Sequence, residues 1–125
     1  EPDCMVCADD LPAGGRPGPW MALQCVIELA IGDVAHCVKV DDTAPGIEEG
    51  RRAGMWTVGV TLSGSLAGMT REEYAVASES DRSRKREEAG AELRRAGAHY
   101  LVDTVADLLP VLDAIGARLN RGERP

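Results

Sequence analysis

The fold is decided by residues 36–60, which read HCVKVDDTAPGIEEGRRAGMWTVGV. Residues 36–40 form a short apolar run with β-branched members, and this run predicts a strand that ends at the acid pair Asp41 and Asp42. Residues 55–60 predict a second strand of the same kind. The segment between the two runs has helical spacing, so the stretch predicts a parallel β-α-β unit with a right-handed crossover.

The predicted helix between these strands has its own start and stop signals. Thr43 or Asp42 can cap its first turn, where Pro45 also fits, and Gly54 supplies the end. One face of the helix is expected to consist of Ile47, Gly50 and Ala53. The acid pair therefore lies between a strand end and a helix start.

The remaining chain extends the alternation of strands and helices. Strands are predicted at residues 4–8 and 100–102, core-facing helices at residues 20–31 and 105–119, and a solvated helical pair within residues 71–95. Thr104 and Asp107 imitate a capping box before the last helix, in which Pro110 is expected to introduce a kink. The pattern predicts the α/β class, with one open parallel sheet flanked by helices.

Composition narrows the classes of function. The 125 residues contain 14 Lys and Arg against 21 Asp and Glu, and the net charge of -7 disfavours nucleic acid as a partner. The longest apolar stretch, residues 20–31, is too short to span a bilayer, and no basic and apolar leader opens the chain. We therefore expect a cytoplasmic protein with no membrane partner. With no Phe and 3% aromatic residues, the core is expected to be aliphatic, and Trp20 and Trp56 should carry unusual packing weight.

The four cysteines are expected to be reduced and structural. Cys4 and Cys7 have the C-x-x-C spacing, but they lie in a predicted strand. They also lack a second pair at zinc-ribbon spacing, because Cys25 and Cys37 stand alone. Free cysteine is among the most buried residue types, so burial explains these residues best.

Four aspartates are predicted at one edge of the sheet. Ligands of open α/β sheets bind outside the carboxyl ends of the strands, which is where Asp9, Asp10, Asp41 and Asp42 fall. Adjacent carboxylates at such an edge can hold a hard divalent cation, for which Mg²⁺ is the natural candidate. The alternative is that Asp42 merely caps the helix while Asp41 is solvated.

Arg16 is the candidate phosphate ligand. It lies in the rigid loop Gly14-Gly15-Arg16-Pro17, where a planar guanidinium could clamp a phosphate with two hydrogen bonds, although an isolated Arg is more often a surface residue. Lys39 is expected to be structural or paired with an acid. Neither His36 nor His99 makes a metal or general-base case, because neither has a partner His nearby.

Three sequence motifs together resemble the phosphonoacetaldehyde hydrolase family of the haloacid dehalogenase superfamily. They are ADDLPAGGRPGPWM at residues 8–21, KVDDT at residues 39–43 and EGRRAGMWTVGV at residues 49–60, and GAHY at residues 97–100 extends the match. The combination of the Arg-Pro-x-Pro-Trp-Met loop with the acid loop and Gly-Met-Trp-Thr-Val-Gly-Val is specific to that family. The resemblance covers nearly the whole chain and implies a Rossmann-like core.

The resemblance also implies an activity and a set of site residues. The family uses magnesium to cleave phosphonoacetaldehyde to acetaldehyde and phosphate, with a Schiff-base lysine from a cap domain and an aspartate that takes the phosphoryl group. Arg16 matches the family's cationic phosphate residue, with one extra Gly in its loop, and Asp42 matches the magnesium ligand. Asp41 stands where the family often has Gly, and Gly46 stands where many members have a second acid, so Asp41 is a candidate for that second carboxylate.

The family's nucleophile motif, its second motif and its cap lysine are not found in these residues. Residues 1–125 are therefore interpreted as the C-terminal part of such a core, lacking its N-terminal strands and cap domain, and are expected to be inactive and unstable alone. The intact enzyme is expected to be a homodimer that binds a small phosphonate. The alternative is a non-catalytic phosphate- or metal-binding module or a receiver-like signalling domain, although neither Thr61 nor Asp103 completes a receiver's set of residues.

Overall fold

The computed structural model describes Leu11, Gly15 and residues 18–61 and 79–125, which form a three-stranded parallel sheet with helices packed on it. The strands, in spatial order, are β1 (Val38–Asp41), β2 (Trp56–Val60) and β3 (Tyr100–Val102). The helices are α1 (Trp20–Glu28), α2 (Ala44–Ala53), α3 (Glu79–Ala96) and α4 (Leu108–Asn120). Short 3₁₀ turns at Val34–His36 and Val105–Asp107 precede β1 and α4. The predicted α/β class is confirmed, and none of the described helices has the length and apolar character needed to cross a membrane.

The strand pairings define two opposite edges of the sheet. Asp41 of β1 lies opposite Gly59 of β2, and Val60 of β2 lies opposite Val102 of β3. Because the strands are parallel, their ends share one edge and their starts share the other. The carboxyl edge is defined here by Asp41, Asp42, Thr61 and Asp103, and the amino edge by Trp56, His99 and Tyr100.

Helix α2 begins and ends where its sequence signals place it. Thr43 is the N-cap, because its Oγ1 accepts a hydrogen bond from the amide of Gly46 at 3.2 Å. Gly54 ends the helix with a left-handed φ of 87°, a conformation that glycine adopts without steric cost. Of the two predicted caps, Thr43 is confirmed and Asp42 is wrong.

The core lies on both faces of the central strand, β2, whose five residues are all buried. On one face, the buried cluster consists of Trp56, Val58, Val60, Val102 and Ile115. On the other face, Ile47 of α2 packs with Leu93 and Ala96 of α3. The expected aliphatic core is confirmed, and Trp56 is its single aromatic member among the described buried residues.

Several predicted boundaries differ from the structure. Helix α1 ends at Glu28 rather than at residue 31, because Ala30 takes a positive φ of 55°, and Ile27 is 69% exposed instead of facing the core. Trp20 is 45% exposed, so the expectation that it contributes strongly to the packing of the core is wrong. Within residues 79–96 there is one helix, α3, whereas residues 71–78 and the predicted strand at residues 4–8 lie outside the described residues. Pro110 is the third residue of α4, where a helix needs no amide donor and proline fits without a kink.

Candidate acidic site at the carboxyl edge

Asp42 directly follows β1 at the carboxyl edge, where it is half-buried. Thr43 caps α2, so the alternative in which Asp42 is the helix cap is wrong. Across the part of the chain that the structure describes, the Asp42 carboxylate makes no hydrogen bond or ion pair. No described residue therefore occupies either of its oxygens, each of which can accept a hydrogen bond or bind a cation.

The Asp41 carboxylate is turned toward the start of α2. Its Oδ1 accepts hydrogen bonds from the amide and the hydroxyl of Thr43, each at 2.8 Å. A Cβ added at Gly46 would overlap this carboxylate, so Asp41 fills the space that a side chain at position 46 would enter. The Asp41 side chain is only 12% exposed, and the alternative of a fully solvated Asp41 is wrong.

Lys39 lies on the same face of β1 as Asp41 and reaches toward α2. Its Nζ is 2.8 Å from Oε1 of Glu49, in a geometry that is ionic rather than that of a hydrogen bond, and 3.6 Å from Oδ2 of Asp41. A Cβ added at Gly50 would lie 2.5 Å from the Lys39 Cβ and 2.9 Å from Cγ2 of Thr57. Helix α2 therefore needs glycine at position 50 to lie this close to the lysine stem, and the expected pairing of Lys39 with an acid is confirmed.

Glu49 also caps α1, although the two residues in contact are far apart in sequence. Its Oε2 accepts a hydrogen bond from the amide of Ala22 at 3.1 Å, across 27 residues. Ala22 lies in the first turn of α1, where Pro19 provides no side-chain cap. The residue is 1% exposed, and its dual contact was not foreseen from the sequence. The sequence contained one sign of this role: Glu49 is at helical spacing from Gly46 and Ala53, so it lies on the same packed face of α2.

A second polar group continues the carboxyl edge toward β3. The hydroxyl of Thr61, which follows β2, donates to Oδ1 of Asp103 at 3.1 Å. Nε of Arg86 lies 3.6 Å from the same oxygen, as an ion pair without a hydrogen bond. The edge therefore presents carboxylates at the ends of both outer strands of the sheet.

Asp41 and Asp42 both lie at the carboxyl edge, whereas Arg16, Asp9 and Asp10 lie outside the described residues. Residues 18–61 and 79–125 contain no cluster of three or more His, Cys, Asp or Glu side chains that could hold a metal. Two adjacent carboxylates nevertheless fit Mg²⁺, since this ion is usually held by one or two carboxylates and keeps several waters for a bound phosphate. The described donor set is hard oxygen, as Mg²⁺ requires.

The cysteines do not contribute to this site. Cys25 and Cys37 are free thiols that are partly buried, in agreement with the expectation of reduced structural residues. Burial raises the pKa of the Cys37 thiol, and the charge of Asp33 adds to the effect, so the protonated thiol is favoured over the nucleophilic thiolate. Cys4 and Cys7 lie outside the described residues.

His99 has a structural environment at the amino edge. The amide of Thr57 donates to its Nδ1 at 3.0 Å, so the ring accepts this bond in its neutral form. Burial and the nearby charge of Arg118 lower the pKa of His99, which favours the same neutral form. The Arg118 guanidinium carbon lies 4.6 Å from the centre of the Trp56 ring, and its Nη1 donates to the Tyr100 hydroxyl at 3.1 Å. This cluster packs on the core at the amino edge, the edge opposite to the acid pair.

No protein-family model matches the chain, but individual relatives do. The phosphonoacetaldehyde hydrolase of Klebsiella pneumoniae subsp. pneumoniae is 61% identical over 124 residues, which are 99% of this chain and 46% of that protein. The phosphonoacetaldehyde hydrolase of Salmonella enteritidis PT4 is 60% identical over the same shares of the two chains. The chain thus spans about half the length of the curated relatives it matches.

Solved structures give the same result for the fold. The phosphonoacetaldehyde hydrolase-like protein from Oleispira antarctica has a TM-score of 0.95 and 50% identity, with 100% of this chain and 45% of that chain covered. A hydrolase from Pseudomonas syringae has a TM-score of 0.59 at 23% identity over 88% of this chain and 39% of that chain, and it shares the fold alone. The chain is therefore a homologue of the phosphonoacetaldehyde hydrolases and has the α/β fold of the haloacid dehalogenase type.

Proposed function

We propose that this chain supplies the acidic edge of a magnesium-dependent hydrolase site, at which phosphonoacetaldehyde is cleaved to acetaldehyde and phosphate. The observation that carries the proposal is the Asp42 carboxylate, which has no partner among the described residues and lies beside Asp41 at the carboxyl edge. The 61% identity to a phosphonoacetaldehyde hydrolase supports this substrate.

Each acidic residue has a distinct role in the proposal. Asp42 would bind Mg²⁺ directly, and Asp41, oriented by Thr43, would supply a second carboxylate in the space that Gly46 leaves open. Bound Mg²⁺ would neutralise charge on the phosphoryl oxygens. Arg16 would hold the phosphoryl group with its planar guanidinium.

The remaining parts of the mechanism rest on the resemblance. The nucleophilic aspartate and the Schiff-base lysine are proposed to come from the portion of the matched relatives that this chain does not span. The assembly as a cytoplasmic homodimer is proposed on the same basis. The residues of this chain bind and orient the phosphoryl group, while the bond-breaking groups lie elsewhere.

The metal assignment is tested in the intact protein by phosphate release at increasing Mg²⁺ concentration. Asp42→Asn should raise the Mg²⁺ concentration for half-maximal activity by at least about tenfold, since even outer-shell partners of a metal contribute that much. Asp113→Asn, an identical charge change on an exposed residue of α4, should leave the Mg²⁺ dependence unchanged. An unaltered magnesium response in Asp42→Asn would disprove the assignment.

The phosphate assignment is tested with Arg16→Lys, which replaces a two-pronged hydrogen-bond donor by a point charge. Inorganic phosphate should inhibit this variant more weakly than the parent enzyme, while the dependence on Mg²⁺ should stay the same. Equal phosphate inhibition in the two proteins would make Arg16 a structural residue.

A further inference from the structure

We propose that Glu49 is a positioning residue that holds the Lys39 ammonium back from Asp41 and so preserves the negative charge of the carboxyl edge. The inference rests on the proposed Mg²⁺ site and adds to it two residues that do not touch the cation. It concerns how strongly the edge attracts a divalent ion, rather than which side chains bind it.

The distances show how the lysine is shared between two carboxylates. Nζ of Lys39 is 2.8 Å from Glu49 and 3.6 Å from Asp41. The Glu49 side chain is 2% exposed and the Asp41 side chain 12% exposed, so water screens the pair with Glu49 less. Coulomb attraction increases as distance and screening decrease, and Lys39 is therefore held mainly by Glu49.

The packing of α2 and α1 fixes the positions of Lys39, Asp41 and Glu49. Gly50 leaves room for the lysine stem beneath α2, and Gly46, one helical turn earlier, leaves room for the Asp41 carboxylate. Glu49 lies between these two glycines and is anchored by the amide of Ala22. The ammonium consequently has one defined position between the two carboxylates.

Removal of the Glu49 charge would change the electrostatics of the edge. Lys39 would then have Asp41 as its nearest carboxylate, and it would neutralise one of the two acids that attract Mg²⁺. Removal of the Lys39 charge would do the opposite, because the ammonium would no longer compete with the cation for the charge of Asp41. The two changes are predicted to have opposite signs.

The test is calorimetric titration of the intact protein with Mg²⁺ alone. Glu49→Gln should weaken the affinity, and Lys39→Met should strengthen it, each by about three- to tenfold, as expected for one charge acting in a partly screened site. Gln keeps an oxygen that can accept from the Ala22 amide, so the variant isolates the charge of Glu49 from its capping contact. A merely structural role predicts weaker binding in both variants and would overturn the inference.

The double variant Lys39→Met/Glu49→Gln protects the test against misfolding. Removal of both members of a buried pair is tolerated better than removal of one. Its Mg²⁺ affinity should equal or exceed that of the parent protein, and weaker binding would contradict the proposal.

Asp42→Asn distinguishes failure of the Mg²⁺ site from failure of the role of Glu49. Unchanged Mg²⁺ binding in that variant overturns the metal site itself. Loss of binding in Asp42→Asn, together with parental affinity in Glu49→Gln and Lys39→Met, overturns only the role of Glu49.

Discussion

The two edges of the sheet are built from the same three strands but present opposite chemistry. At the carboxyl edge, Asp41 and Asp42 place carboxylates where helix α2 begins. At the amino edge, the Trp56 ring is fully buried under the Arg118 guanidinium, which lies in the last turn of α4. A parallel β-α-β arrangement sends helix starts to one edge and helix ends to the other, and the helix dipole favours anions at the first and cations at the second. The difference teaches that backbone direction alone favours a ligand-binding site at the carboxyl edge and a packed, ligand-free core boundary at the amino edge.

The carboxyl edge should depend on the position of its carboxylates. Gly46→Ala is predicted to displace the Asp41 carboxylate, because the added Cβ would overlap it. Mg²⁺ binding should weaken by about ten- to a hundredfold, the usual effect of disturbing the groups around a metal. The exchange Asp41→Gly/Gly46→Asp should recover much of the affinity, since it places a carboxylate in the same space from the helix instead of the strand.

Calorimetry with Mg²⁺ measures both effects. Gly116→Ala is the matched control, because a Cβ on this helical glycine of α4 meets no atom within 4 Å. If Gly46→Ala bound Mg²⁺ like the parent protein, the position of Asp41 would be irrelevant to the site. The proposal that the carboxyl edge binds the metal through this carboxylate would then be contradicted.

The amino edge should affect stability and leave metal binding alone. Trp56→Ala is predicted to lower the free energy of unfolding by about 3–5 kcal/mol, the usual effect of removing a buried aromatic side chain. Trp20→Ala, at a residue that is 45% exposed, should cost far less. Urea unfolding of the intact protein measures the loss, and similar losses in the two variants would show that Trp56 does not close the core.

The smallest predicted effect is a pH dependence at His99. Its pKa is lowered from the ordinary 6.5, so the unfolded chain takes up a proton at this residue before the folded chain does. The stabilising contribution of neutral His99 is therefore complete above about pH 6.5 and decreases as the pH falls toward the lowered folded pKa.

Unfolding midpoints at about pH 7.5 and about pH 5.5, on either side of the ordinary histidine pKa, measure this dependence. His99→Asn keeps an acceptor for the Thr57 amide but cannot be protonated, so it should reduce the pH dependence. His36→Asn changes an exposed histidine and should leave it intact. A steeper loss of stability on acidification in His99→Asn would contradict the assignment.

Local signals were sufficient to predict most of the fold. The cap at Thr43, the end at Gly54 and the capping box of Thr104 with Asp107 all occur as predicted, because each depends on residues within one helical turn. The end of α1 was placed too late, since apolar residues at helical spacing do not reveal that Ile27 faces solvent. Periodicity shows which residues share a face, but not whether another element covers that face.

The residues of the candidate site also differ in how far the sequence predicts them. Asp41 and Asp42 were located at the sheet edge because strand direction and the ligand-edge rule depend only on the order of elements. Glu49 was missed, because its partners Lys39 and Ala22 are brought to it by tertiary packing across as many as 27 residues. The prediction for Arg16 stays a prediction, as that residue lies outside the described part of the chain.

The contact between Glu49 and the Ala22 amide also has a kinetic consequence. The first turn of α1 gains its cap only when β1 and α2 have already come together, so this turn should order after them and open before them. Amide hydrogen exchange at Ala22 should then report a local opening whose rate is set by one carboxylate on a different helix.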